Sequence, residues 1–133
     1  MSEPAAVDQA RADVSKIKLI FQAEGSFALW SYTVGHGRLL LRRTKSSDRP
    51  TRVDVLFKDV GWLCMPAQFD GITISEADPG EVGPFLATAG SVRTADRTVF
   101  VIRGCDSRGY VLSGAVTWTE DAGEYGDPSS LLE

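Results

Sequence analysis

The chain has 133 residues, 43% of them hydrophobic and 24% charged, with a formal net charge of −4. That length suits one domain with an ordinary hydrophobic core, and the composition is that of a globular chain rather than a disordered one. The acidic total argues against bulk nucleic-acid binding, which calls for a basic footprint. No run of roughly 18 apolar residues is present, so no membrane-spanning helix and no membrane partner is expected.

The chain opens on MSEPAAVDQARADVS, which is polar and mildly acidic. It lacks the basic start and apolar stretch of a signal peptide. Within residues 1–16, Ala6, Val7, Ala10 and Val14 recur at helical spacing, which predicts a short N-terminal helix or arm. The two cysteines, Cys64 and Cys105, form no CxxC. A cytoplasmic protein with reduced thiols is therefore expected. Ten arginines against four lysines fit a GC-rich bacterial genome.

From residue 17 the period changes from helix-like to strand-like. IKLIFQA (17–23) places Ile17, Leu19 and Phe21 in alternation, and FALWSYTV (27–34) is aromatic and apolar. RLLLRR (38–43) is an apolar centre with basic ends. RVDVLFKDV (52–60) alternates most clearly, with Val53, Val55 and Phe57 on one face and Asp54 and Lys58 on the other. GITISEA (71–77), RTVFVIRG (97–104) and YVLSGAVTWTE (110–120) complete the set. The stretch 77–96, with Pro79, Gly80, Gly83, Pro84 and Gly90, reads as a loop with some local structure. Residues 121–133 carry four acids and no base, which reads as a frayed acidic tail.

Strand-like runs separated by short turns predict a mainly β domain over residues 17–120. The expected form is an antiparallel β-sandwich or partly open barrel of about seven strands.

Two hairpins are expected within it. Gly35, His36 and Gly37 suit a tight turn. Pairing Val34 with Arg38 would set Tyr32 opposite Leu40, Trp30 opposite Arg42, Ser31 opposite Leu41 and Leu29 opposite Arg43, with a cation–π contact between Trp30 and Arg42. The second hairpin turns through GCDSRG (104–109), bringing Val101 near Leu112 and Ile102 near Val111. Gly114, inside the last predicted strand, marks a bulge or a close backbone approach.

Chemical signatures are sparse. His36 is the single histidine, and with two distant cysteines it cannot make a tetrahedral zinc set unaided. Asp70, Glu76, Asp78 and Glu81 lack EF-hand spacing. There is no GxxxxGK[ST], GxGxxG or GxSxG, so no cofactor is expected. Cys105, between Arg103 and Arg108, is a more reactive thiol candidate than Cys64, whose neighbours are apolar. Asp54, Asp59 and Glu120 are the strand-associated carboxylates. An enzyme using His36 with a carboxylate is the remaining catalytic reading.

The concentrated charge lies between Arg38 and Arg52. Arg38, Arg42, Arg43, Lys45, Arg49 and Arg52 are opposed by Asp48 alone, giving this stretch +5. With Trp30 and Tyr32 beside it, the stretch is the candidate binding surface. The expected function is a non-catalytic module that binds another protein, one with an acidic surface or a second copy of itself. The acidic tail is a further candidate to meet the basic run, in cis or within a dimer. Single-stranded nucleic acid or a small ligand on the same surface is the alternative.

Overall fold

A computed structural model describes residues 19–89 and 95–132. The predicted N-terminal helix or arm lies outside the described residues. The ordered elements are β1 (Leu19–Thr33), β2 (Arg38–Arg43), β3 (Arg52–Lys58), β4 (Trp62–Cys64), β5 (Gln68–Glu76), α1 (Pro79–Ala89), β6 (Thr98–Arg103), β7 (Arg108–Ser113) and β8 (Ala115–Asp121). They form one sheet of eight antiparallel strands in the order β4-β7-β6-β5-β1-β2-β3-β8, which does not close.

The sheet curls because its two ends are covalently neighbours. β7 lies next to one edge and β8 forms the other, yet only Gly114 separates them in sequence. The backbone N–H of Gly114 donates to the carbonyls of Lys58 (2.9 Å) and Asp59 (3.2 Å). The predicted final strand is thus two strands, and Gly114 between them marks a close approach to Lys58 and Asp59. The short β4 and this division add two strands to the expected seven, and the merging of 17–23 with 27–34 into the single β1 removes one, giving eight.

Alternation decides what the curl encloses. Leu39 and Leu41 of β2, Val53, Val55 and Phe57 of β3, Ile72 and Ile74 of β5, Phe100 and Ile102 of β6, and Val111 of β7 share one core with Phe27 and Phe69. Burial of this apolar set is the main stabilising term, at roughly 25 cal/mol per Å² removed from water. The residues between them face outward. On β6 and β7 these are Val99 and Leu112, which pack beneath Phe85 of α1.

Helix α1 replaces the loop expected across residues 77–96. The sequence DPGE builds its start. Asp78 Oδ1 accepts from Glu81 N at 3.0 Å, and Glu81 Oε1 accepts from Asp78 N at 3.4 Å. That is a capping box, with Pro79 at the first helical position where its missing N–H costs nothing. Pro84 forfeits one intrahelical bond, while Val82, Phe85 and Leu86 gain the sheet's outer face. Tertiary packing outweighs the breaker residues.

Both hairpins form, the first with a turn one residue longer than expected and the second with a turn two residues shorter. In the first, Val34–His36 makes a single 3-10 turn closed by Gly37 in the left-handed region (φ 57°). Thr33 then pairs with Arg38, Tyr32 with Leu39 and Ser31 with Leu40, so the expected register is off by one. A bulge between Leu29 and Ser31 adds a further shift, leaving Leu29 opposite Leu41 and Ala28 opposite Arg42. In the second, Arg103 pairs with Arg108 and Val101 with Tyr110. That differs from the expected register by two residues, so every side chain keeps its face.

Candidate functional site

The basic run is divided by the strands that carry it. On β2 and β3, Arg42 and Arg52 fall on the outer face, whereas Arg43 registers with the inward Val53 at the end of the curled sheet. Adjacent residues 42 and 43 therefore enter different environments.

On the outer face, Arg42 is 2% exposed and Asp54 is fully buried. Arg42 Nε and Nη2 donate to Asp54 Oδ1 and Oδ2 at 2.7 and 3.0 Å, and Nη1 donates to the Tyr125 carbonyl at 3.1 Å. Arg52 straddles Asp121 in the same way at 3.0 and 3.1 Å. Its Nη1 also donates to the carbonyls of Glu124 (3.2 Å) and Asp127 (2.8 Å). Arg38 donates to the Leu132 carbonyl, and Lys45 to Glu124 Oε1 and the Ala122 carbonyl.

Residues 121–132 thus form a strap across the sheet rather than a frayed tail. Its contacts explain why: a buried cation is tolerated when charge and donors are both matched. The hydrogen bond from Arg52, aided by the Gly123 N–H, holds the Asp121 carboxyl below its ordinary value, and Asp121 in turn raises Arg52. Asp54, read from alternation as solvent-facing, is sealed beneath this strap.

Trp30 belongs to the same covered face. The Arg42 guanidinium carbon lies 5.0 Å from its ring centroid, so the expected cation–π contact is present despite the changed register. The bulge at residue 30 supplies the compensation. Tyr125 of the strap meets the Trp30 ring edge-on at 5.0 Å. Tyr32 is separated from this group: it registers with the inward Leu39 and is partly exposed.

The inner side at the end of the curled sheet is different. Among the described residues, Leu19–Phe27 of β1 ladder only with β5, and β8 ladders only with β3. Between these two strand edges lies a slot of about 430 Å³. Phe21–Glu24 line one wall, and Val53 with Trp118–Glu120 line the other. The Phe21 and Trp118 rings lie tilted against each other at 5.1 Å, and Trp118 remains 45% exposed.

Arg43 and Arg49 complete the slot. Arg43 is 8% exposed. Its Nη1 donates to the Glu24 carbonyl at 2.9 Å and its Nη2 to Thr51 Oγ1 at 3.3 Å, while its Nε has no hydrogen-bond partner among the described residues. The Thr51 hydroxyl in turn donates a hydrogen bond to Glu120 Oε2. Arg49 is more exposed and sits 3.7 Å from Glu24.

Gly25 makes this possible. Its φ of 101° belongs to glycine, and a Cβ there would fall 2.6 Å from Arg43 Cδ. The break in register between Ala23 and Ser26 turns β1 away from β2, and Arg43 fills the gap.

Of the seven candidate binding residues, the structure therefore gathers Trp30, Arg38, Arg42 and Arg52 under the strap and Arg43 and Arg49 in the slot. Tyr32 joins neither. Sequence reasoning did not place Phe21, Glu24 or Trp118 in a site; the aromatic at 118 within an alternating strand was the available signal.

The other candidates stand apart. His36 is exposed on its turn and makes no hydrogen bond or ion pair among the described residues. Cys64 and Cys105 are both free and exposed. Asp78 and Glu81 serve the helix cap, and Glu81 also binds Arg103 and Arg108. No helix among the described residues is long and apolar enough to cross a membrane.

No protein-family model, curated protein or solved structure matches the chain.

Proposed function

We propose that this protein is a non-catalytic interaction module that binds a partner protein in the slot between β1 and β8, selecting an extended segment that carries a carboxylate. The observation that carries this reading is the pairing of two unladdered strand edges with two arginines, one of which keeps a buried donor unmatched. An exposed edge supplies main-chain hydrogen bonds to an added strand, and alternate side chains supply specificity. Trp118 offers the aromatic contact that anchors many interfaces. Arg49, half-exposed, meets the carboxylate by charge complementarity.

Protein is favoured over nucleic acid because Arg42 and Arg52 are already matched in cis. Self-association through the β8 edge is one form of the same reading. The exposed thiols fit a reducing, cytoplasmic setting.

Panning a displayed library of random peptides against the full chain tests the proposal. Enriched sequences are expected to be extended and to contain Asp or Glu, and Arg49→Glu should weaken them about tenfold or more. The circular-dichroism spectrum of that variant should match the wild type. No enrichment, or equal binding to Arg49→Glu, overturns the proposal. For the self-associating form, sedimentation should show a dimer that Arg49→Glu or Trp118→Ala dissociates; a monomer at high concentration removes it.

A further inference from the structure

A second depression, independent of the slot, lies where α1 crosses β4 and β7. Cys64 registers opposite Tyr110, and Trp62 is two residues before Cys64 on the same strand. These three side chains therefore share one face. On the helix, Glu81 and Phe85 stand one turn apart, with Pro84 beside them. Together these residues enclose about 260 Å³.

Half of the lining is aromatic. Phe85 is buried. The Trp62 ring meets it at 85° and 4.6 Å, and the Tyr110 ring lies tilted against it at 5.5 Å. Two rings at right angles form a corner, and the third adds another side. The face of an aromatic ring carries partial negative charge, which attracts a cation more strongly once water is excluded. A dry cavity of ~150 Å³ holds a benzene ring. A trimethylammonium head is no bulkier, so this cleft has room for one.

The charged residue among the lining residues is Glu81. Arg103 Nη2 donates to its Oε1 at 2.8 Å and Arg108 Nη1 to its Oε2 at 3.1 Å, yet neither arginine lines the cleft. Arg108 also bonds to Tyr110, whose acceptor is the hydroxyl at the end of the ring rather than its face. Glu81 and the cap residue Asp78 match the two guanidiniums in number. The Arg108 side chain is 52% exposed, so its field is screened by water and salt. An incoming group therefore meets rings and a carboxylate.

The bonding of Glu81 also selects among cations. Its oxygens already accept from two arginines, whereas a bare ammonium brings three N–H donors that need acceptors once they leave water. A quaternary ammonium has no donor to satisfy, and its methyl groups pack on the rings while spreading the charge.

We infer that this cleft binds a quaternary ammonium head, with its methyl groups against Trp62, Phe85 and Tyr110 and its charge beside Glu81. Such a head is carried either by a free small molecule of the choline type or by a trimethylated lysine side chain.

The full chain has three tryptophans, so its indole N–H signals carry their own controls in a nuclear magnetic resonance titration. With choline, the Trp62 signal should shift saturably while those of Trp30 and Trp118 stay in place. The uncharged isostere 3,3-dimethylbutan-1-ol should need about tenfold more ligand, since it lacks the cation–π contact. Ethanolamine, the unmethylated amine, should also bind more weakly than choline. Cys64→Arg, at an exposed position, should weaken choline by bringing a cation to the rim, and Cys64→Met, of similar reach without the charge, should keep it. A peptide carrying trimethyl-lysine that binds more tightly than choline assigns the site to a modified chain; equal or weaker binding assigns it to the free amine. No Trp62 shift with choline or with that peptide, equal affinity for choline and either of its two analogues, or equal binding by the two Cys64 variants overturns the inference.

Discussion

Arg42 and Arg43 are neighbours in sequence and opposites in circumstance. Arg42 sits beneath the C-terminal strap with Asp54 and a backbone carbonyl matched to its donors. Arg43 sits at the end of the curled sheet with its Nε unmatched and its Nη2 3.9 Å from Glu120, beside the more exposed Arg49. The same division separates Arg52 from Arg49. A charge run is therefore not a surface: the period of the strand assigns one part to holding the chain together and leaves another part able to meet a partner.

The strongest way to break this contrast is to remove the anion that holds the covered half. Asp54→Ala leaves Arg42 buried without its bidentate partner and takes from Arg52 the second of its two carboxylate neighbours, 3.8 Å away, leaving Asp121. The expected loss is about 3–5 kcal/mol, read as a lowered denaturant midpoint with an unchanged slope. A variant as stable as the wild type would mean that the strap does not bury this pair in solution.

Gly25→Ala attacks the slot side instead. It forces a left-handed backbone on alanine and drives a methyl into Arg43 Cδ. About 1–3 kcal/mol should be lost, with Arg43 displaced from the Glu24 carbonyl. Gly35, where an added Cβ meets nothing within 4 Å, is the control position.

The Asp121–Arg52 pair adds a pH-dependent contribution. The native carboxyl is held below 3.8, its ordinary value. Its stabilisation is thus complete above that value and disappears as pH falls through the lowered native value. Asp121→Asn should cost about 1 kcal/mol at neutral pH. Thermal melts of the two proteins should then converge in acid below pH 3.8. A difference that persists unchanged there would assign the effect to packing rather than charge.

The smallest effect belongs to Arg49. Arg49→Ala should change stability by no more than about 0.5 kcal/mol, because its ion pair with Glu24 is exposed and loosely spaced. The same substitution should weaken the peptides selected in the slot. A large loss of stability would place Arg49 with the structural arginines.

Much of the fold was legible in particular residues. Val53, Val55 and Phe57 announced a strand with one buried face, and β2 begins and ends where RLLLRR does. The helix was missed because Pro79, Gly80, Gly83 and Pro84 read as loop residues, although Asp78 and Glu81 held the spacing of a capping box. The first hairpin slipped because its turn uses four residues, Val34–Gly37, and because nothing in FALWSYTV declares a bulge at Trp30.

The site was legible in part. Arginine content marked the right region, and the acidic tail was a foreseeable counterpart to it. What no local pattern carried was the distance between chain segments. Phe21 and Trp118 are separated by most of the domain, and they meet because β1 bends at Gly25 while β8 closes the far side of the curled sheet.

By itself, the sequence determined the strands, their inward faces and the place of the charge, since these depend on side-chain period and composition. Only the tertiary structure decided which arginines are held under the strap and which face the slot. Burial depends on what crosses the outer face, and here a distant acidic segment covers one half of the basic run and leaves the other at an open edge.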